Sequence, residues 1–245
     1  MDYGIETKGL VIKLNKKTVI DRLELAIPKG TIHGLIGSNG AGKTTTLKIL
    51  SGLLPATSGT VRLNDLYLGR SNEKYKEFIG YVPESPELYG SLTVRETLEF
   101  VASLYYRDYD IAEKQIQHYI DLFNLGEIEK EYTKNISRGE TQRVILASVL
   151  VHNPDIILLD EPFYTLDPNS QKTLRLLLRE KRDEGKTILL ATHLLDLAET
   201  MCDSITLLSK GKTLFDGGID KIKTTYPGAS LEDVFITLSN NEEMV

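Results

Sequence analysis

Apolar positions along this chain change period several times, and each change marks an element. Thr18 to Pro28 (TVIDRLELAIP) alternates in part before a Pro-Lys-Gly turn, which predicts an edge-type strand entering a hairpin. TIHGLIG follows as a short apolar strand that runs into glycines. From Thr44 to Leu54, Leu47, Leu50 and Leu54 recur at helical spacing, so a helix is expected to start where the glycines end. TSGTVRLND reads as a short strand closing in a turn. FIGYVPESPELYG reads as a strand that must stop at Pro83 and Pro86, because a residue before proline is restricted and proline cannot donate to a ladder.

The middle of the chain turns helical. Thr93 and Glu96 have capping-box spacing for a helix within Ser91 to Tyr106, with Val94, Leu98, Val101 and Leu104 on its apolar face. A second helix, Ile111 to Leu125, turns Ile116, Tyr119, Ile120 and Phe123 inward. Residues 85–152 therefore read as a helical subdomain inserted into an α/β core of residues 1–84 and 153–227. In PDIILLDEP the uninterrupted apolar run suits a central parallel strand covered on both faces. A helix from Pro168 to Glu184, the strand KTILLAT, a helix from Leu195 and the hairpin SITLLSKGKTLFDGG continue the alternation. Residues 228–245 are left as a tail with one short helix and a polar end prone to fraying.

Composition narrows the class. The 29 basic and 35 acidic side chains leave a net charge of -6, which gives no general reason to expect nucleic-acid binding. Cys202 is the single cysteine, so no intramolecular disulfide forms and a reducing, cytoplasmic setting is expected. The start MDYGIETKG lacks a signal-peptide pattern, and apolar tracts such as VILASVLV (Val144 to Val151) are too short to cross a bilayer. Direct membrane insertion is not expected; work at a membrane would go through a partner.

The chemistry concentrates in GSNGAGKTT. Gly37, Gly42, Lys43 and Thr44 complete the pattern G-x-x-x-x-G-K-[ST] between a strand and a helix. Ser38, Asn39, Gly40, Ala41, Gly42, Lys43, Thr44 and Thr45 are the candidate phosphate-binding residues. Their N–H groups can surround a β-phosphate, Lys43 can offset charge on the β and γ oxygens, and the Thr44 hydroxyl can ligate Mg²⁺. Asp160 closes the apolar strand and can reach that metal through water, whereas Glu161 can orient or deprotonate an attacking water. Two adjacent acids could also be a solvated strand end; the complete phosphate loop argues otherwise. His193, just after ILLAT, falls on the same expected sheet edge, where it could donate to the γ-phosphate and hold the water near Glu161.

In order, GSNGAGKTT, VPESPELYG, NISRGETQR, IILLDEP, TLDP and THLLDLAE make the chain resemble the nucleotide-binding subunits of ATP-binding cassette transporters over almost its whole length. The resemblance implies an α/β P-loop NTPase (RecA-like) core with an N-terminal antiparallel β subdomain and an inserted α-helical subdomain. It implies ATP hydrolysis with Mg²⁺, and a head-to-tail dimer, expected to be a homodimer, in which Ser137 and Gly139 of one copy face the γ-phosphate held by the other. Asp167 would help align the opposing site, and Glu84 would offer an oxygen toward Mg²⁺. Transmembrane permease subunits would rest on residues 84–92 and the following helix, with Leu88 and Tyr89 as apolar contacts, holding the chain on the inner face of the membrane.

Three positions depart from the family pattern. ISRGE stands where LSGGQ is usual, and Arg138 would either attract ATP or hinder closure. Glu84 replaces the family glutamine, and Leu14 stands where an aromatic often stacks on adenine, which predicts weaker base discrimination. SLEDVFITLS and the brief C-terminal region resemble single-cassette ATPases of bacterial ABC-2-type exporters. Export is the favoured direction; an importer ATPase, a soluble non-transport cassette and a low-turnover regulatory cassette are the alternatives.

Overall fold

The computed structural model describes residues 2–69, 73–85 and 87–243. Its strands, in chain order, are β1 Tyr3–Leu14, β2 Lys17–Pro28, β3 Ile32–Gly37, β4 Ser58–Leu63, β5 Leu66–Tyr67, β6 Ile79–Val82, β7 Ile156–Asp160, β8 Thr187–Thr192, β9 Ser204–Ser209 and β10 Lys212–Gly218. The helices are α1 Lys43–Leu50, α2 Val94–Tyr105, α3 Tyr109–Leu122, α4 Arg138–Leu150, α5 Pro168–Asp183, α6 Leu195–Met201, α7 Ile219–Thr225 and α8 Leu231–Glu243.

The strands make two sheets. One is antiparallel, in the order β2-β1-β4-β5; the other runs β10-β9-β3-β8-β7-β6, parallel except for β10. β3, β7 and β8 are buried at every position. Period-two alternation sends Ile157, Leu159, Ile188 and Leu190 into a core shared with the C-terminal and middle helices. It sends Leu35, Ile156, Leu158 and Leu189 into a second core under α1 and the antiparallel sheet. Coverage on both faces explains why these strands read as unbroken apolar runs. Their C-terminal ends share one edge, and the glycine loop, Asp160 and Thr192 all emerge there.

Several sequence expectations change. β2 is an edge strand, as its pattern implies, but its hairpin lies before it: Asn15 and Lys16, at φ 49° and 68°, turn the chain back from β1. After Pro28 the chain crosses to the other sheet instead. α1 stops at Leu50, four residues earlier than expected. Gly52 at φ 75° ends it, and a Cβ there would sit 2.0 Å from the Tyr75 hydroxyl oxygen. In α2 the capping box forms as expected, yet Leu104 is 66% exposed and the buried stripe is Val94, Thr97, Leu98 and Ala102. Leu104 lies at the edge of that stripe, in the last turn. β6 stops before Pro83, while Pro86 lies outside the described residues. β1 and α7 have no counterpart in the sequence reading.

The helices α2, α3 and α4 pack on one another, and Arg95 of α2 pairs with Glu99 of the same helix and with Glu113 of α3. Among the described residues no helix is long and apolar enough to cross a membrane.

Candidate functional site

The loop between β3 and α1 is shaped by its glycines. Gly42 caps α1 at φ 110°, and a Cβ there would fall 2.3 Å from Ile20 Cδ1, so both backbone angle and space require glycine. Ala41 N–H donates to Ser38 O at 3.1 Å, and Gly211 N–H donates to Ala41 O at 3.1 Å, pinning the loop to the β9–β10 turn. Ala41 is buried in the core, with its side chain away from the cavity.

A cavity of about 430 Å³ opens over this loop, lined by Asn39, Gly40, Gly42, Lys43, Thr44 and Thr45 together with Leu14, Val19, Glu84, Asp160 and Glu161. All of the expected site residues line this cavity except Ser38, Ala41, His193, Ser137 and Gly139. Lys43 is 6% exposed; its ammonium donates to Gly37 O at 2.7 Å and lies 3.5 Å from Glu161 Oε1. Leu14 and Val19 form an apolar wall with no ring to stack on a base.

Asp160 ends β7 fully buried, and neither carboxylate oxygen has a hydrogen-bond partner. Burial pushes its pKa up to about 6; the nearby Thr44 hydroxyl opposes this without making a well-formed bond, the charges of Glu84 and Glu161 add to it, and Lys43 opposes it. An orphaned buried carboxylate beside a threonine hydroxyl at the mouth of a phosphate loop fits a hard cation such as Mg²⁺. No group of three His, Cys, Asp or Glu able to hold a metal occurs among the described residues, so further ligands would be water and phosphate oxygens.

Glu161 adopts φ 47°, unusual for a residue with a side chain, because β7 ends there while its N–H still bonds Ala191 O at 2.9 Å. The turn separates its carboxylate from that of Asp160. Oε1 meets His193 Nδ1 at 2.8 Å, and Oε2 accepts from the Thr192 hydroxyl at 3.0 Å. A carboxylate only accepts, so Nδ1 carries a proton, and Nε2 can donate to an anion only when the ring is doubly protonated. His193 lines a neighbouring cavity of about 280 Å³ that also includes Asn39, Glu84, Gln142 and Glu161.

Ser137 caps α4 in a full capping box: its N–H donates to Glu140 Oε2 at 2.7 Å, and Glu140 N–H returns a bond to its hydroxyl at 3.3 Å. The Ser137 backbone bond holds the Glu140 carboxyl below its usual range. Within one chain neither Ser137 nor Gly139 lines the Lys43 cavity; Arg138 instead lines another with Glu84 and Tyr164. Asp167 caps α5, and its bonds to Ser170 lower its pKa. Val19, Thr192 and Gln142 were missed by sequence reasoning. The one sequence signal for Thr192 is its place before His193. Gln142, five residues after Ser137, is 4% exposed and donates to Pro162 O at 3.3 Å.

A family model described as ABC transporter matches residues 20–164. The chain is 35% identical over 239 residues to the probable multidrug ABC transporter ATP-binding protein YbhF of Escherichia coli K12; the match covers 96% of this chain but 41% of that protein. The chain thus spans about two fifths of that relative's length. It is 31% identical over 213 residues to the linearmycin resistance ATP-binding protein LnrL of Bacillus subtilis, covering 87% of this chain and 68% of the relative. The solved structure of the ATP binding subunit of an ABC transporter superposes with a TM-score of 0.91 at 31% identity, covering 96% of this chain and 99% of the other.

Proposed function

This chain belongs to the ABC transporter family, and from that premise we propose that it binds and hydrolyses ATP to drive a membrane transporter. The observation that carries the reading is the convergence on one sheet edge of Lys43, the unpartnered carboxylate of Asp160, and Glu161 bonded to His193. The loop N–H groups and Lys43 bind the β- and γ-phosphates. Thr44, Asp160 and Glu84 hold Mg²⁺, which when bound neutralises phosphate charge. Glu161 aligns the attacking water and takes its proton, and His193 keeps that carboxylate in place beside the γ-phosphate.

Ser137 and Gly139 complete the site of a second copy in a head-to-tail dimer, which accounts for their distance from the Lys43 cavity of their own chain. The helical segment 85–152 offers the permease surface, with Tyr89, 68% exposed and edge-on to Phe100, among its contacts. The chain then sits at the inner face of the membrane. Export is the direction favoured by the multidrug and linearmycin-resistance relatives.

An ATPase assay of the full chain with and without Glu161→Gln tests this. Hydrolysis should fall at least roughly 100-fold while ATP binding survives. An unchanged rate in the variant removes Glu161 from the chemistry, and no ATP binding by the wild-type chain removes the reading altogether.

A further inference from the structure

Three consecutive residues at the end of β8 hold three different atoms of Glu161. Ala191 O accepts its N–H at 2.9 Å, the Thr192 hydroxyl reaches Oε2 at 3.0 Å, and His193 Nδ1 reaches Oε1 at 2.8 Å. Resting on the reading of Glu161 as the group that aligns water, we propose that Thr192 is a positioning residue that sets the direction of this carboxylate.

The polarity of the Thr192 hydroxyl is fixed by its neighbours. Leu194 N–H can only donate, and it points at Thr192 Oγ at 3.1 Å, so a lone pair is used there. The single hydroxyl proton is left for Glu161 Oε2, an acceptor without alternatives. Thr192 is 1% exposed, pairs in register with Ile36 of β3, and its branched Cβ restricts χ1, so the hydroxyl cannot turn to water. Glu161 has no comparable support of its own, since it sits beyond the last residue of β7 at φ 47°.

The consequence is geometric. With Oε2 held by Thr192 and Oε1 by His193, rotation about the last side-chain bond of Glu161 is stopped from both ends. Among the described residues Oε2 has no other hydrogen-bond partner, so its second lone pair stays available for a water. Removing the hydroxyl would free Oε2 to turn out of the position that holds the water, while Oε1 stays held by His193. Phosphate binding by the loop would not change, because Thr192 does not line the Lys43 cavity.

The test compares Thr192→Val, Thr192→Ser and Glu161→Gln in the full chain, reading kcat and KM for ATP separately and ATP affinity by titration. Thr192→Val keeps the shape and deletes the hydroxyl; kcat should fall roughly 10- to 100-fold, as for a lost hydrogen bond to a charged group, with KM and affinity within about twofold. Thr192→Ser should restore kcat to within about threefold of wild type. If Thr192→Val does not fold, Thr192→Ala takes its place with the same expectation. Wild-type kcat in the hydroxyl-free variant, or an equal fall in Thr192→Ser, overturns the proposal while an inactive Glu161→Gln leaves the role of Glu161 standing. An active Glu161→Gln overturns the reading beneath it.

Discussion

Replacing Asp160 with asparagine should make the chain more stable while weakening its use of a cation. The carboxylate is fully buried and unpartnered, and its pKa rises from 3.8 to about 6, chiefly because burial disfavours the charge. A carboxyl whose folded pKa lies above its unfolded value binds its proton more tightly when folded. Stability therefore falls as pH climbs from about 4 to about 6 and levels off above. At about 1.4 kcal/mol per pKa unit, the penalty at neutral pH is roughly 3 kcal/mol. Asparagine has nearly the same shape and no charge. In urea unfolding with EDTA and without nucleotide, Asp160→Asn should gain up to about 3 kcal/mol near pH 7, shrinking below about 1 kcal/mol near pH 4. Titrating groups that do not feel the Asp160 charge cancel in the difference between the two proteins. A variant less stable than wild type near pH 7, or a gain independent of pH, would refute the reasoning.

Gly42→Ala should destabilise by about 2 kcal/mol or more, since φ 110° and the approach to Ile20 both oppose a Cβ, and should weaken ATP affinity; thermal unfolding and titration check it. Burial lowers the pKa of His152 to about 4 from 6.5, so the unfolded chain takes up its proton first and stability drops as pH falls between those values. His152→Gln should recover roughly 2 kcal/mol of that acid loss, allowing for partial exposure, and an unaltered acid limb in urea unfolding would contradict it. The Cys202 thiol, pushed up to about 12 by burial and then by the charge of Asp203, should react with a thiol reagent many times more slowly at pH 8 in the folded chain than in urea; equal rates would contradict its burial.

Local signals carried most of what the sequence revealed. The glycine loop before α1, the acidic pair at the end of β7 and the Thr93 capping box each depend on neighbours within a few residues, and the structure has all three. The end of α1 misled because Leu54 continues the helical spacing past Gly52, whose backbone angle stops the helix. β1 was invisible for the opposite reason: its pairing with β2 shifts register between Thr7 and Leu10, next to Gly9 at φ 57°, so apolar residues do not alternate cleanly. Partners distant in sequence left no trace. The contacts of His33, buried between Ser204 and Thr206, and of Thr192 with Glu161 arise only once the sheet aligns strands far apart in the chain.

A structure of the full chain carrying Glu161→Gln, loaded with ATP and Mg²⁺, addresses the central claim directly. The terminal phosphate should lie between Lys43 of one copy and Ser137 and Gly139 of a second. A triphosphate bound away from the loop, or one bound there while Ser137 and Gly139 of every copy face solvent, would contradict it.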